Sequence, residues 1–144
     1  MITVDEIMTT SLTTLPDTAT LEEAKQLMVE KNIRHIPVLG HDGKLTGLAS
    51  QRDILAATDS ILRSEEERTN PVDIPLAQVM TKKVATVDAN TSLLSAALYL
   101  QRHKYGCLPV VSEGKLKGIV TDSDFVAIGI NLLEQVIEAE ALED

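Results

Sequence analysis

The sequence predicts an α+β fold made of two copies of one β-α-β-β-α unit, related by pseudo-twofold symmetry. The stretches "GKLTGLASQRDIL", residues 43–55, and "GKLKGIVTDSDFV", residues 114–126, are nearly identical. Aligning Met80 with Met8 extends the match over most of the chain at a spacing of 72 residues (80 − 8), with one residue missing from the second turn. Within each copy, short apolar runs alternate with helical periodicity, as expected of a mixed supersecondary unit.

Composition limits the kind of core that the chain can form and the partners that it can bind. The 144 residues are enough to bury a core, which must be aliphatic because 44% of residues are hydrophobic and only 2% aromatic. A net charge of −9 and few aromatic rings argue against a nucleic-acid partner. No apolar run approaches the roughly 18 residues of a membrane span, and the N-terminus carries acid where a signal peptide carries base. We therefore expect a cytoplasmic protein without a membrane partner.

Each copy should begin with a short extended segment, residues 12–15 and 84–87, followed by a helix. Thr20 and Ser92 are residue types that cap helices, and Glu23 completes a capping box with Thr20. Apolar residues recur at helical spacing after the first cap, namely Leu21, Ala24, Leu27 and Met28.

A hairpin should follow each helix. The strand "IPVL" or "LPVV" leads to a turn containing Asp42-Gly43 or Glu113-Gly114, and a second apolar strand follows at residues 45–49 or 116–120. A second helix should start just beyond Ser50 or Thr121. One unit has little core of its own, so we expect the two sheets to pack together with the helices outside.

The repeat divides the chain into domains. The first copy should occupy residues 1–66 and the second residues 76–144, including a C-terminal helix. Residues 67–75 should form the linker, because "TNPVDIP" ends there and carries two prolines.

Two interpretations fit the end of each doubled stretch. Ser50-x-x-Asp53 and Thr121-x-x-Asp124 could simply cap helices, although a reciprocal capping box prefers the longer Glu or Gln, so capping accounts less well for the aspartates. The same geometry suits a nucleotide: a helix N-terminus attracts phosphate, and a carboxylate one turn later suits the ribose hydroxyls. Gly47 would let another backbone or a ligand approach closely, as would its counterpart Gly118.

These motifs, recurring in order and twice, resemble a tandem pair of CBS domains, a Bateman module, from about Val4 to Phe125 and the helix that follows. The resemblance implies a regulatory module without enzymatic activity that binds AMP, ADP or ATP, or S-adenosylmethionine, and passes its ligand state to an unknown protein target. It also implies a homodimer paired through helices. An alternative is a structural adaptor homodimer that binds no ligand.

The resemblance also implies roles for individual residues. Asp53 and Asp124 would hold the ribose, and Ser50 and Thr121 would reach toward phosphate. Basic residues at the positions of Arg34 and His35 contact phosphates in similar modules. The base would lie in an apolar slot lined by Thr13, Ile33 and Leu48 in one copy and by Ala85, Tyr105 and Ile119 in the other.

The copies differ where phosphate needs charge. Arg34, His35 and Arg52 in the first copy correspond to Gly106, Cys107 and Ser123 in the second. We therefore expect the first site to bind the phosphates of a charged nucleotide, with Arg52 among its contacts. The second site should be weaker, empty or suited to a less anionic adenosyl ligand. Arg52 could instead be a solvated helix residue, and His35 could simply pack at a strand edge.

Little in the sequence favours an enzyme. The three histidines lack metal-ligand spacing, no phosphate-binding Gly-rich loop is present, and Cys107 lacks a nearby base, so it should be a buried small hydrophobe. We expect no required cofactor and no resident metal. Mg²⁺ would enter only with a nucleotide's phosphates, near Asp122 and Asp124.

Overall fold

The computed structural model of the chain describes residues 1–63 and 73–143. The first copy consists of β1 (Leu15–Pro16), α1 (Leu21–Lys31), β2 (His35–Leu39), β3 (Leu45–Ser50) and α2 (Gln51–Arg63). The second consists of α3 (Leu93–His103), β4 (Cys107–Ser112), β5 (Lys115–Thr121) and α4 (Asp122–Glu143). A parallel bridge between Val87 and Val110 stands where the first copy has β1. The predicted α+β class with two β-α-β-β-α repeats is confirmed.

Two short pieces precede these elements. Single turns of 3₁₀ helix lie at Val4–Glu6 and Leu76–Gln78, in equivalent positions of the two repeats. Residues 67–72 of the predicted linker lie outside the described residues. None of the helices in the part of the chain described has both the length and the apolar character that crossing a membrane requires.

The hairpins have the predicted turns. In the first copy, β2 pairs in parallel with β1 and antiparallel with β3, so that His35 lies opposite Ser50. In the second copy, β4 and β5 form a two-stranded sheet. Gly43 and Gly114 adopt φ angles of 79° and 78° in the turns, a conformation that glycine tolerates because it lacks a Cβ. Each hairpin thus returns the chain to the start of a helix.

The predicted helix caps are present. The Glu23 backbone N–H donates to Thr20 Oγ1 at 3.2 Å, and the Ser95 backbone N–H donates to Ser92 Oγ at 3.1 Å. Asn32 ends α1 in the left-handed conformation, and Lys104 ends α3 in the same way. Equivalent residues therefore start and stop the first helix of both copies.

The core is aliphatic, as composition predicted. Every buried hydrophobic residue in the described ranges is aliphatic or contains sulfur. One cluster contains the buried residues Ala19, Leu21, Ala24, Met28, Ile36, Val38, Ala49, Ile54 and Leu76. Leu76 comes from the 3₁₀ turn at the start of the second repeat, so the core of the first repeat includes a residue from the other one.

The compact units of the chain do not coincide with the two sequence repeats. Each unit includes the first residues of the other repeat, and these residues, 1–10 and 76–85, are called the exchanged segments below. The first-repeat unit comprises Ser11–Ala85 and Ser112–Leu116; the second-repeat unit comprises Met1–Thr10, Thr86–Val111 and Lys117–Asp144. Backbone hydrogen bonds tie in the exchanged segments, for example from Leu76 to Ala19 at 2.8 Å and from Val4 to Thr91 at 2.9 Å. The division at residues 66 and 76 stays a prediction about the sequence repeat, and the compact units follow different limits.

Candidate functional site

In each unit a strand that ends in a hydroxyl residue continues directly into a helix. β3 ends at Ser50 before α2, and β5 ends at Thr121 before α4. The Asp53 backbone N–H donates to Ser50 Oγ at 3.1 Å, and the Asp124 backbone N–H donates to Thr121 Oγ1 at 3.4 Å. Both hydroxyls therefore cap their helices, which confirms the capping interpretation.

The two aspartates have different hydrogen-bond partners. Asp124 Oδ2 accepts from the Thr121 backbone N–H at 2.8 Å, which closes a reciprocal capping box. Asp53 Oδ2 accepts instead from Thr81 Oγ1 at 3.5 Å. The expectation that capping accounts less well for an aspartate is wrong for Asp124, because its side chain is long enough to reach the cap residue's N–H.

Gly47 and Gly118 make room for the exchanged segments. A Cβ added at Gly47 would lie 2.8 Å from Met80 Cε, and one added at Gly118 would lie 2.8 Å from the Thr9 carbonyl oxygen. Next to these glycines, Leu48 exchanges two backbone hydrogen bonds with Thr81, and Ile119 does so with Thr9. The close approach expected at both glycines is confirmed, and the approaching chain is the exchanged segment itself.

Three basic residues of the first repeat lie at or beside the start of α2. The Gln51 backbone N–H donates to the Arg34 carbonyl at 2.8 Å, and His35 pairs with Ser50 across the hairpin. Arg52 is exposed in the first turn of the helix. Arg34, His35, Ser50 and Arg52 therefore lie at one helix N-terminus, where backbone N–H groups and the helix dipole already favour an anion.

The same position in the second repeat is acidic. The Asp122 backbone N–H donates to the Gly106 carbonyl at 3.1 Å, so Gly106 and Cys107 flank the start of α4. Burial raises the pKa of the Cys107 thiol from 9.0 to about 12, and the negative charges of Asp124 and Asp122 contribute to the shift. Cys107 is therefore a buried, protonated thiol, as predicted. Within the described residues, no three His, Cys, Asp or Glu side chains form a group that could hold a metal ion.

The residues expected to line the base slot are divided between the units. Thr13, Ile33 and Leu48 are half-buried in the first-repeat unit, and Ile33 packs against its core. Ala85 belongs to the second copy by sequence but to the first-repeat unit by contacts. In the second-repeat unit, Ile119 carries the bridge to Thr9. Their contacts with a base stay a prediction.

Tyr105 belongs to an exposed aromatic cluster that sequence reasoning missed. Its ring stacks on His103 with centroids 5.5 Å apart, and Tyr99 lies 4.4 Å from His103. The spacing of Tyr99 and His103, one helical turn apart, was the available signal. Thr9 and Thr81 were also missed as neighbours of the site, although "Met-Thr" recurs at the repeat spacing.

Comparison with known proteins identifies relatives over nearly the whole chain. A family model described as the CBS domain matches residues 4–60 and 76–130. A CBS domain-containing protein of Dictyostelium discoideum is 31% identical over 137 residues, which cover 92% of this chain and 94% of that protein. The homoserine O-acetyltransferase of Methanohalophilus mahii is 34% identical over 128 residues, but this chain spans only 24% of its length.

Solved structures share the fold. A candidate acetoin utilization protein (AcuB) from Vibrio cholerae superposes with a TM-score of 0.81 at 46% identity, covering 96% of this chain and 97% of that one. CBSX2, crystallised in complex with AMP, superposes with a TM-score of 0.78 at 30% identity, covering 92% of this chain and 98% of that one.

Proposed function

The chain belongs to the CBS domain family, and on that premise we propose that it is a regulatory module that binds an adenine nucleotide or a related adenosyl metabolite. Its ligand state would be passed to a partner protein. The observation that carries the proposal is the strand-to-helix junction with a hydroxyl and an aspartate, present twice in a fold shared with AMP-bound CBSX2. We also propose a cytoplasmic location and no catalytic role for this chain. The second proposal is supported by Cys107, whose thiol is buried and has its pKa raised to about 12, so it is a poor nucleophile.

The first site has groups that suit a nucleoside monophosphate. Ser50 and the first turn of α2 offer hydrogen-bond donors to phosphate, Arg34 and Arg52 would add positive charge, and the His35 ring would add an N–H donor. Asp53 would accept hydrogen bonds from the ribose hydroxyls. The base would lie among the half-buried residues Thr13, Ile33, Leu48 and Ala85.

The second site suits a less anionic ligand. Asp122 and Asp124 would repel phosphate at the start of α4, where Thr121 is the hydroxyl and no basic residue matches those of the first site. Asp124 Oδ2 already accepts a hydrogen bond from the Thr121 N–H, which leaves fewer of its lone pairs for the ribose hydroxyls. Tyr105 and Ile119 would face the base. A neutral or cationic adenosyl compound such as S-adenosylmethionine therefore fits this site better than a nucleotide does.

Calorimetric titration of AMP, ATP and S-adenosylmethionine tests the ligand proposed for each site. Asp53→Ala should lower the affinity for AMP by roughly ten- to a hundredfold, because a charge-assisted hydrogen bond contributes about 1.5–3 kcal/mol. Asp124→Ala should leave AMP binding nearly unchanged. Repeating the ATP titration with Mg²⁺ tests whether the ion enters with the phosphates.

Equal losses of AMP affinity in the two variants would contradict the asymmetry. A wild-type protein that binds none of the three compounds would contradict the sensor and favour the adaptor. A thermal-shift panel gives an independent check, because a ligand at 100 times its dissociation constant adds about 2.7 kcal/mol of stability.

We also propose that the protein forms a homodimer through α4. Val126, Ile130, Leu133 and Ile137 recur every three or four residues on this helix, and each is 53–64% exposed. From Gly118 onward the sequence has no Lys, Arg or His. An antiparallel second copy would place Glu134 and Glu138 against the uncharged residues 125–130, whereas a parallel copy would place like charges together.

Leu133→Glu with Ile137→Glu should convert the dimer into a monomer, as measured by light scattering coupled to size-exclusion chromatography. Two charged residues in the C-terminal half of the apolar stripe would be buried without partner charges. Leu142→Glu is the matched control, because Leu142 is 88% exposed on the opposite face of α4. The α4 interface would be contradicted if the Leu142→Glu control were monomeric like the double variant, or if the wild type were itself a monomer.

A further inference from the structure

Thr81 lies beside the aspartate of the first site although it belongs to the other repeat. Its Oγ1 is 3.5 Å from Asp53 Oδ2, across 28 residues of sequence. Thr81 is exposed and Asp53 is half-buried, so a ligand could reach both groups. The distance is longer than the roughly 2.5–3.0 Å usual for an O–H···O hydrogen bond, so the contact is weak in the absence of a ligand.

The position of Thr81 is fixed from two sides. Its backbone donates to Leu48 at 3.0 Å and accepts from Leu48 at 2.9 Å, which attaches it to the free edge of β3 two residues before Ser50. Met80 packs onto Gly47, where even a Cβ would be 2.9 Å from Met80 Cγ. The Thr81 hydroxyl is therefore held near Asp53 by backbone geometry.

The two side chains offer complementary chemistry. A ribose hydroxyl is both a donor and an acceptor; a carboxylate only accepts, while a threonine hydroxyl can donate. Asp53 can accept hydrogen bonds from both hydroxyls of a vicinal diol, and Thr81, by donating to Asp53 Oδ2, orients the carboxylate toward that diol.

The second-repeat unit offers a natural comparison. Thr9 pairs with Ile119 through hydrogen bonds of 2.9 and 3.0 Å, and Met8 packs onto Gly118. There, however, the aspartate Oδ2 accepts from the Thr121 N–H at 2.8 Å. The two threonines thus share a backbone setting, and the structure records the hydroxyl-to-aspartate hydrogen bond for Thr81.

We propose that Thr81 is a positioning residue for ribose recognition at Asp53, an inference that rests on the proposed function. It makes the first site dependent on a residue of the second repeat. Ligand bound at Asp53 would then act on the segment that continues through Ala85 into the second-repeat unit. The effect of the ligand could thus pass along the chain from one unit to the next.

Calorimetry with AMP and 2′,3′-dideoxy-AMP tests the proposal, because the second compound lacks both ribose hydroxyls. Thr81→Val should weaken AMP binding about three- to tenfold, the effect of one hydrogen bond. It should leave dideoxy-AMP binding unchanged, and Thr81→Ser should restore the affinity for AMP. Thr9→Val is the matched control and should bind AMP like the wild type.

A failure of the role of Thr81 gives a different result from a failure of the proposed function. Unchanged AMP affinity in Thr81→Val, or an equal loss for both compounds, would overturn the role of Thr81, since the second result means only structural support. Wild-type protein that binds no adenosyl compound would overturn the proposed function itself.

Discussion

The motif aspartates Asp53 and Asp124 show how a small change of partner separates two equivalent residues. Both follow a capping hydroxyl by three residues, but only the Asp124 carboxylate is recorded as bonded back to its cap. Asp122 adds a second negative charge at that helix start, and the buried Cys107 beside it stays a thiol. The difference in charge and in partner, rather than in fold, is what would let two copies of one motif bind different ligands.

The glycines of β3 and β5 give a residue-scale prediction. Gly118→Ala should destabilise the protein by about 1–3 kcal/mol, because its Cβ would meet the Thr9 backbone carbonyl at 2.8 Å. Gly47→Ala should cost less, because the three atoms nearest to its Cβ belong to the flexible side chain of Met80 rather than to backbone. Urea denaturation measures both changes in the free energy of unfolding.

Gly129 supplies the control for these substitutions. It lies in α4, and a Cβ added there would meet nothing within 4 Å apart from its chain neighbours and the nearby backbone of the helix itself. Gly129→Ala should therefore stabilise the helix by about 0.5–1 kcal/mol, since alanine has the higher helix propensity. A larger loss of stability for Gly47→Ala than for Gly118→Ala would contradict the contacts assigned to these two glycines.

At the scale of elements, local sequence signals were sufficient for most of the fold. The caps at Thr20 and Ser92, the Gly turns and the helical periods each depend on neighbouring residues, and all were predicted and found. Local signals also placed Arg34 and Ser50 on adjoining ends of one hairpin.

What could not be predicted depends on distant pairing. The bridge of Thr81 to Leu48 joins residues of different repeats, and no pattern in either segment specifies its partner. The hydroxyl of Thr81 therefore escaped notice as part of the candidate site. The closing of the capping box by Asp124 was missed for another reason, because rotamer and backbone detail decides whether a short carboxylate reaches its cap.

The whole molecule is built by exchange between its repeats. The N-terminal residues of each repeat complete the other unit, so neither repeat as written in sequence contains its full core. Val4 and Leu76 are equivalent residues at the repeat spacing, and both are fully buried. This arrangement should make the two repeats depend on each other for stability, which a tandem of independent domains would not do.

Val4→Ala and Leu76→Ala test this dependence as a matched pair. Leu76→Ala should cost about 2–5 kcal/mol and Val4→Ala less, because fewer buried methyl and methylene groups are removed. Hydrogen exchange followed by mass spectrometry should show faster exchange around Leu21 and Leu48 in the Leu76 variant, and around Leu93 and Ile119 in the Val4 variant. Each substitution would thus loosen the repeat to which it does not belong by sequence. Loss of protection confined to the substituted residue's own repeat would show that the exchanged segments contribute little, and the repeats would then be independent domains.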